Sequence, residues 1–595
     1  MHDVFDTMTS DSSGFIQWLD RWLDHRQAGQ HEADLTCMET GADGGMRLAS
    51  LWRAWCEGRI SCRRMHIVVC WPERLSSASL AQAFETVSSH SQPANLDELA
   101  TAWPNILLPG VTRIELAQGR VTLTLLNMAW HKALFQALAQ VDLFLLDRSF
   151  IDGLDHAGAA PAGQLVRLAA AGATVFSALD QPALRAALLK AGFVPDAGIG
   201  QDAGVLIATL RDSVRRRAQR YMGESSVAVV GAGIAGAGIA HALARRGHQV
   251  TVFDPLLKLS SAAAHDGHIA AAITPVISAD DDFRARLSRA GADRAWRSWC
   301  DLPGDARPLR CGTVKLPRDA DEWAAWRTGI ERLALSPAWA QLLSPADCQA
   351  RLGYSPPLGA CYFPGGMLIR PDRLLPALLN VPGIQTRALD VEVMRRTGDG
   401  PEWSLSGASG QLLGTFSQVV VANAVQARGL IRQVQSGPLP RFSTLHAVTG
   451  QVSYWPNKAL PGAWPFVVDA QGYWLPAVEG MHTAGGTYVP ADQARVTEAG
   501  HIENLGKIEP VLPPQWAAGL RGVGVAGGWA GWRAIVRGRL PVVGPVPGAP
   551  GVWLACGYGS RGLTWSALAG DLIAGALSNE PAILERDLIA ALRPC

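Results

Sequence analysis

The sequence predicts an α/β protein with two sheet-containing halves in succession, residues 1–222 and 223–595, the second carrying an inserted α+β domain. Three observations lead there. Ser226–Pro255 runs from an apolar stretch, Val227–Val230, through Gly231, Gly233 and Gly236 into an Ala-rich segment, then into a β-branched run closing on Asp254. That is the strand–turn–helix–strand order of a Rossmann unit, its first strand apolar on both faces. The first half alternates short apolar runs with helix-like segments, the order of a parallel or mostly parallel sheet covered by helices. His446–Trp455, Tyr473–Pro476 and Thr483–Tyr488 are strand-like runs that read as an inserted antiparallel sheet.

A chain of 595 residues is too long for one core, so at least two domains are expected. The composition, 48% hydrophobic and 18% charged, suits a globular protein with large buried cores. Net charge is +1, so a polyanion would have to meet local basic patches, not a global field. The ten cysteines are scattered with no C-x-x-C pair, which points to a reducing compartment and to no metal site. The acidic, polar N-terminus does not read as a signal peptide, and no run of about 18 apolar residues reads as a membrane helix. Cytoplasm is the expected location.

In the first half, strands are expected at Leu35–Met38, Met65–Val69, Val141–Leu146, Ala173–Phe176 and Val205–Thr209. Helices are expected at Met46–Cys56, Ala78–Val87, Gln164–Ala171 and Pro182–Ala191. Glu39 to Gly45 follows the first strand, where a Rossmann-type methyltransferase carries its S-adenosylmethionine loop, E-x-G-x-G-x-G. Glu39, Gly41 and Gly45 fit that loop; Asp43 replaces the middle glycine. Its side chain would crowd the methionine part of the cofactor, and its charge would repel the cofactor carboxylate. The next strand ends Cys70-Trp71-Pro72, with Glu73 arriving late for a ribose-binding acid. A retained but inactive domain is therefore the alternative expectation for this half. Arg211–Gly223 is a basic linker, read as solvated or as a phosphate contact.

In the second half, Gly231 makes the tight turn, Gly233 lets a pyrophosphate approach the backbone, and Gly236 lets the helix pack on the strand. The helix N-terminus offers free N–H groups to phosphates, and Asp254 stands where a carboxylate accepts from ribose hydroxyls. The small-residue stretch Ser260–Pro275, with His265, Asp266, Gly267 and His268, is a candidate flavin-facing loop; the alternative is a plain surface loop. The arginines of Phe283–Trp299 read as a solvated helix face. Leu309–Leu316 and Trp323–Leu335 are expected as a strand and a helix, Tyr362–Asp372 as a turn and helix start, and Gln418–Asn423 as a buried strand. At the end of the chain, Val552–Leu563 places Gly557, Gly559 and Gly562 around Ser560 and Arg561 before a helix, a second anion-cradling turn.

Gly231–Gly236, the Gly267-centred loop, His446–Val452, Arg533–Gly544 and Gly559–Leu563 resemble the C-terminal half of the MnmC family, the bifunctional tRNA 5-methylaminomethyl-2-thiouridine biosynthesis proteins. The first half, with Glu39–Gly45 and the strand ending at Asp147, resembles that family's methyltransferase half. The resemblance implies an FAD-binding half of the glycine and D-amino-acid oxidase type, with Gly267, His268, Gly559 and Gly562 beside the Gly231 turn and Asp254 at the cofactor. It implies a two-step change to the wobble uridine of tRNA. FAD-dependent loss of a carboxymethyl group leaves an aminomethyl group, which the first half methylates with S-adenosylmethionine. Asp147 matches the family's catalytic Asp, but Arg148, Ser149 and Phe150 do not continue its D-G-F-A-P motif, and the family's later Asn and Trp have no clear match. Trp71 stands at the place of a ribose-binding acid and Arg47 at that of an Asn. tRNA is the implied partner, with no membrane and no obligate protein partner.

The leaving fragment in that chemistry is a glycine unit, an amine flanked by a CH₂ and a carboxylate. The protein's share is to orient the C–H and hold the carboxylate. A guanidinium fork is the natural clamp, so Arg533 and then Arg561 are the expected catalytic residues, each with a structural ion pair or a flavin contact as the alternative. Two rival readings remain on these residues. One is a flavin oxidase of a free small amino acid such as glycine or sarcosine; the other makes residues 1–222 a non-catalytic docking module.

Overall fold

Runs of apolar residues long enough to be buried on both faces decide where the sheets form. The computed structural model describes residues 15, 18–23, 34–41, 45–70, 77–88, 96–157, 160–196, 205–211, 225–261, 263–398, 400–459, 464–490 and 492–595. Asp43, Trp71, Glu73 and linker residues 212–223 lie outside them. The chain divides into two compact units, Met1–Gly223 with Gly575–Asp587, and Glu224–Ala574 with Leu588–Cys595.

The sheet of unit 1 has eight strands in the order Gly110–Leu116, Val121–Asn127, Met65–Cys70, Leu35–Glu39, Val141–Leu146, Ala169–Ser177, Leu206–Leu210, Phe193–Pro195. The five from Val121–Asn127 to Ala169–Ser177 are parallel, and antiparallel pairs close both margins. Leu35–Glu39 and Met65–Cys70 are buried at every position, the polar Thr36, Glu39 and His66 included. Strand order reverses between Leu35–Glu39 and Val141–Leu146, which puts a crevice at their C-terminal ends, the place where doubly wound sheets bind ligands. The late segment belongs to this unit through Glu580, whose two oxygens accept from Arg64 at 3.0 Å and from the buried Arg113 at 2.8 Å.

Unit 2 is built on a six-stranded sheet, ordered Ile384–Arg387, Gln249–Phe253, Ser226–Val230, Gln418–Val421, Val552–Cys556, Val542–Pro545. All neighbours are parallel except the final pair. A second, mixed sheet of eight strands carries the inserted part; it ends in Met481–Gly485, His446–Pro456 and the edge strand Gly527–Ile535. It is antiparallel apart from Thr313–Lys315 against Val467–Asp469. Where a turn and helix start were expected near Tyr362, the chain first forms two short strands, Ala360–Phe363 and Met367–Ile369, before the helix Pro371–Leu379. Among the described residues no helix is long and apolar enough to cross a membrane.

Three helices of unit 2, Ile234–Ala244, Phe283–Trp299 and Gly562–Leu577, meet around charge as well as apolar surface. Asp571 accepts from Arg246 at 2.7 Å and also from Arg294, and the carboxylate and Arg294 are both buried. Arg289, equally buried, pairs with Asp281 at 2.9 Å. The expectation that the arginines of Phe283–Trp299 form a solvated face is thus corrected at these two positions. A helical period cannot tell an outward arginine from one turned toward a buried carboxylate on a distant helix. Replacing Asp571 by Ala leaves two guanidinium groups without their shared partner. The expected loss of stability is about 3–5 kcal/mol, read as a lower urea midpoint by tryptophan fluorescence.

Candidate functional site

The turn after Ser226–Val230 is the most crowded backbone in unit 2. Gly231 has φ 110, and a Cβ there would lie 2.7 Å from the Ala422 carbonyl oxygen. A Cβ on Gly236 would lie 1.8 Å from the Gly231 carbonyl oxygen, so that helix and turn touch only because both residues lack side chains. Gly233, the N-cap of the helix Ile234–Ala244, faces open space, with nothing within 4 Å of where its Cβ would stand. Asp254 ties the turn to the end of the second strand: its carboxylate accepts from Ala232 N at 2.8 Å and from Leu256 N at 2.9 Å. The Gly559–Arg561 turn leads into Gly562–Leu577, where a Cβ on Gly562 would stand 3.5 Å from the Ile234 side chain. Ser566 Oγ donates to Ile234 O at 2.6 Å, so two helix N-termini converge on the same place.

Arg533 lies on the edge strand Gly527–Ile535 and crosses the neighbouring strand at Gly450. A Cβ there would fall 2.2 Å from the guanidinium carbon. Its Nη1 donates to Thr487 O at 2.7 Å, and Tyr473 and Gly486 flank it. Burial raises the Tyr473 phenol above its ordinary range, with Arg533 opposing that shift. Burial also raises Asp469 above the usual carboxylate range, against the pull of Lys315 and Arg561. Arg561 does not reach Arg533 directly. Its Nη1 donates to Thr274 O at 3.1 Å, which anchors the end of the Ser260–Pro275 loop.

That loop brings His268 against Trp529, ring over ring at 4.0 Å and 6°. His265 and His268 face each other through Nδ1 atoms 3.1 Å apart, and Tyr454 OH donates to Gly267 O at 2.5 Å. Gly267 takes φ 75 to make this bend. Burial lowers His265 to about 4 and holds His268 well below its ordinary value, with His265 and Arg533 adding to the effect. Both imidazoles are neutral at pH 7.

The comparisons with known proteins bear on this geometry. Residues 226–576 match the family of FAD dependent oxidoreductases. The tRNA 5-methylaminomethyl-2-thiouridine biosynthesis bifunctional protein MnmC of Burkholderia thailandensis is 33% identical over 605 residues, covering 95% of this chain and 90% of the relative. The protein of that name from an Azoarcus species is 35% identical over 588 residues, covering 94% and 89%. This chain belongs to the MnmC family. Glycine oxidase from Geobacillus kaustophilus, at 22% identity and TM-score 0.51, covers 62% of this chain and 99% of its own, so its fold recurs here.

FAD, the cofactor of the oxidoreductase family to which this MnmC-family chain also belongs, fits the residues of the turn. Gly233 leaves the backbone open to a pyrophosphate, two helix N-termini supply N–H groups, and Asp254 closes the strand beside them. Asn423 Oδ1, His268 Nε2 and Tyr558 OH are buried polar atoms without a hydrogen-bond partner among the described residues, which suits a site that a polar group completes. The sequence singles out the glycines and Arg533, but not Tyr473, Asp469, Trp529 and Gly450, which the structure sets beside them. Gly450 had a signal, since it stands opposite Gly531 in the strand pair that carries Arg533. The aromatic and acidic residues had none that separates them from core.

In unit 1, Glu39 is buried at the end of the first strand, and Gly45, at φ 90, caps the helix Met46–Cys56. Asp147 lies across Gly41, where a Cβ would stand 2.0 Å from its carboxylate. Its Oδ1 accepts from Ser149 Oγ at 2.7 Å and from Ser149 N, which places the carboxylate at the start of the helix Arg148–Ala157. Arg47 Nη1 donates to Leu146 O at 3.3 Å, bracing the same strand end.

Gly233→Ala is expected to leave the melting temperature nearly unchanged while lowering FAD affinity at least about tenfold, read as flavin absorbance per chain. Gly236→Ala is expected to lower both. A pH effect also follows from His265. Its folded value is about 4 against an ordinary 6.5, so the unfolded chain binds the proton first. Stability is then complete above pH 6.5 and falls as pH drops toward 4. His265→Gln is expected to shrink the pH 7-to-5 fall in urea midpoint.

Proposed function

We propose that this chain removes the carboxymethyl group from 5-carboxymethylaminomethyl-(2-thio)uridine at the wobble position of tRNA, leaving 5-aminomethyl-(2-thio)uridine. Unit 2, within residues 223–595, does this with FAD. Unit 1 methylates the exposed amine with S-adenosylmethionine to give 5-methylaminomethyl-(2-thio)uridine. The observation that carries the reading is likeness over 95% of the chain to proteins named for that biosynthesis, spanning both units. An oxidase of free glycine or sarcosine would account for unit 2 alone.

Bound FAD supplies a two-electron oxidation of the C–H beside the amine, after which the imine hydrolyses and glyoxylate leaves. The residues of the chain hold the substrate for it. Arg533, fixed by Thr487 O and free of any carboxylate among the described residues, presents its remaining N–H groups to the glycine carboxylate. Tyr473, kept protonated by burial, adds a hydroxyl donor next to that fork. The neutral His265–His268 pair adds no positive charge that would disfavour a developing iminium. Arg561 serves as an anchor of the loop, through Thr274. In unit 1, Glu39, Gly41 and Gly45 line the crevice that would take S-adenosylmethionine. Asp147, drawn into the helix start, is the candidate catalytic acid there. A cytoplasmic setting agrees with a tRNA substrate.

In a strain lacking this activity, nucleoside mass spectrometry after complementation with the full chain is expected to show loss of the carboxymethylaminomethyl nucleoside. The Arg533→Gln chain is expected to let it accumulate, with kcat/KM about 10- to 100-fold lower. Aminomethyl nucleoside that persists with the wild-type chain would mean that unit 1 does not methylate. Unchanged carboxymethylaminomethyl nucleoside would sink the whole reading.

A further inference from the structure

Arg533 is the inner end of a short line of exposed groups. The Tyr488 ring lies 5.5 Å from its guanidinium and 5.8 Å from that of Arg539. Tyr488 is 40% exposed, and Arg537 and Arg539, on the turn after the edge strand, are exposed as well. No carboxylate among the described residues pairs with Arg533, Arg537 or Arg539.

The aromatic ring is not loosely hung. Thr487 N donates to Gln451 O at 3.0 Å, and Thr487 Oγ1 accepts from Gln451 N at 2.9 Å. Thr449 and Val489 exchange both backbone hydrogen bonds, at 2.9 and 3.1 Å. The residues on either side of Tyr488 are thus fixed to the strand His446–Pro456, and the ring is held out at the rim with little freedom left to lose on binding. A free amino acid ends at its own carboxylate and would need nothing beyond Arg533. A glycine-type group carried on a nucleobase needs a flat apolar surface one step outward, and cations for the phosphates one step further.

We propose that Tyr488, Arg537 and Arg539 form the RNA-docking rim of unit 2, with Tyr488 stacking on a nucleobase at or next to the modified uridine and the two arginines meeting the flanking phosphates. This rests on the tRNA reading above and names the surface that would distinguish RNA from a small amine. The order along the rim is fixed: carboxylate at Arg533, base at Tyr488, phosphates at Arg537 and Arg539.

The test uses the full flavoprotein and unfractionated tRNA from a strain that accumulates the carboxymethylaminomethyl nucleoside. Binding is followed as a function of salt, and flavin reduction is followed anaerobically with that tRNA and with the free carboxymethylaminomethyluridine nucleoside. Arg539→Glu and Arg537→Glu are expected to weaken tRNA binding about tenfold each and to lower the salt slope by about 1 for every phosphate left without its cation. Tyr488→Ala is expected to weaken it about tenfold with the salt slope unchanged, and Tyr488→Phe to restore it. Flavin reduction by the free nucleoside should be affected far less than reduction by tRNA in the arginine variants. Wild-type affinity and salt slope in all three variants would overturn the rim. So would an equal loss with nucleoside and tRNA, since that marks damage to the pocket. Should the wild-type chain reduce its flavin with the nucleoside yet neither bind nor demodify tRNA, the tRNA reading itself fails and the rim with it.

Discussion

The flavoprotein unit depends on backbone touching backbone. Ala422 closes on Gly231, Gly231 on Gly236, Ser566 on Gly238, Thr564 on Gly291, and Gly238 on Gly570. At each of these points a Cβ would come within 3 Å of a main-chain atom. These approaches draw the strands Ser226–Val230 and Gln418–Val421 and the helices Ile234–Ala244, Phe283–Trp299 and Gly562–Leu577 closer than side chains permit. The consequence is local and chemical. Two helix N-termini reach one spot, and Gly233 is left as the place where a glycine meets open space. A phosphate-bearing ligand is the natural complement to such a spot, because unpaired N–H groups gather there.

Close packing of this kind leaves little room for solvent, so interior polar groups must find partners or lose charge. Unit 2 does both. Asp571 answers two arginines, Arg294 of the helix Phe283–Trp299 and Arg246 of the turn that follows Ile234–Ala244. His265 and His268 give up their protons and stack on Trp529. Asp469 and Tyr473 are pushed toward their neutral forms near Arg533 and Arg561. Burial there works against negative charge on Asp469 and Tyr473, while the guanidinium groups of Arg533 and Arg561 pull the other way.

Much of this was legible in the residues. Periodicity placed Val141–Leu146, Pro182–Ala191 and Met46–Cys56 at the bounds the structure shows, because propensity, pattern and burial agree there. The strand pair Gly110–Leu116 and Val121–Asn127 was not seen. Alternating Thr, Arg and Glu mask it, and the buried Arg113 is neutralised by Glu580 from the far end of the chain. Arg294 misled for the same reason, its partner Asp571 being remote in sequence, whereas Arg289 turns back to Asp281 just ahead of the helix. Arg533 was identified by chemistry, not by pattern, whereas its neighbours Tyr473 and Tyr488 carry no local signal. In unit 1 the pattern marked Asp147, but not that its carboxylate would fold back on Ser149 over Gly41.

The position of Arg533 follows from strand register. His446–Pro456 pairs with Gly527–Ile535 so that Val448 faces Arg533 and Gly450 faces Gly531. A shift of one residue would turn Arg533 to the other side of the sheet and set a side chain under its guanidinium. The two glycines work on different groups. Gly450 lets Arg533 cross toward Thr487, and Gly531 lets the Trp529 indole fold along the same face, where a Cβ would meet it at 2.2 Å. Arginine and tryptophan are four residues apart, so alternation puts them on one side of the strand, with the glycine between them as the space both need. The histidine pair then packs on the outer face of that indole. Cation, aromatic wall and neutral imidazoles are thus arranged by one pairing register. That register is why residues so widely separated in sequence come together here.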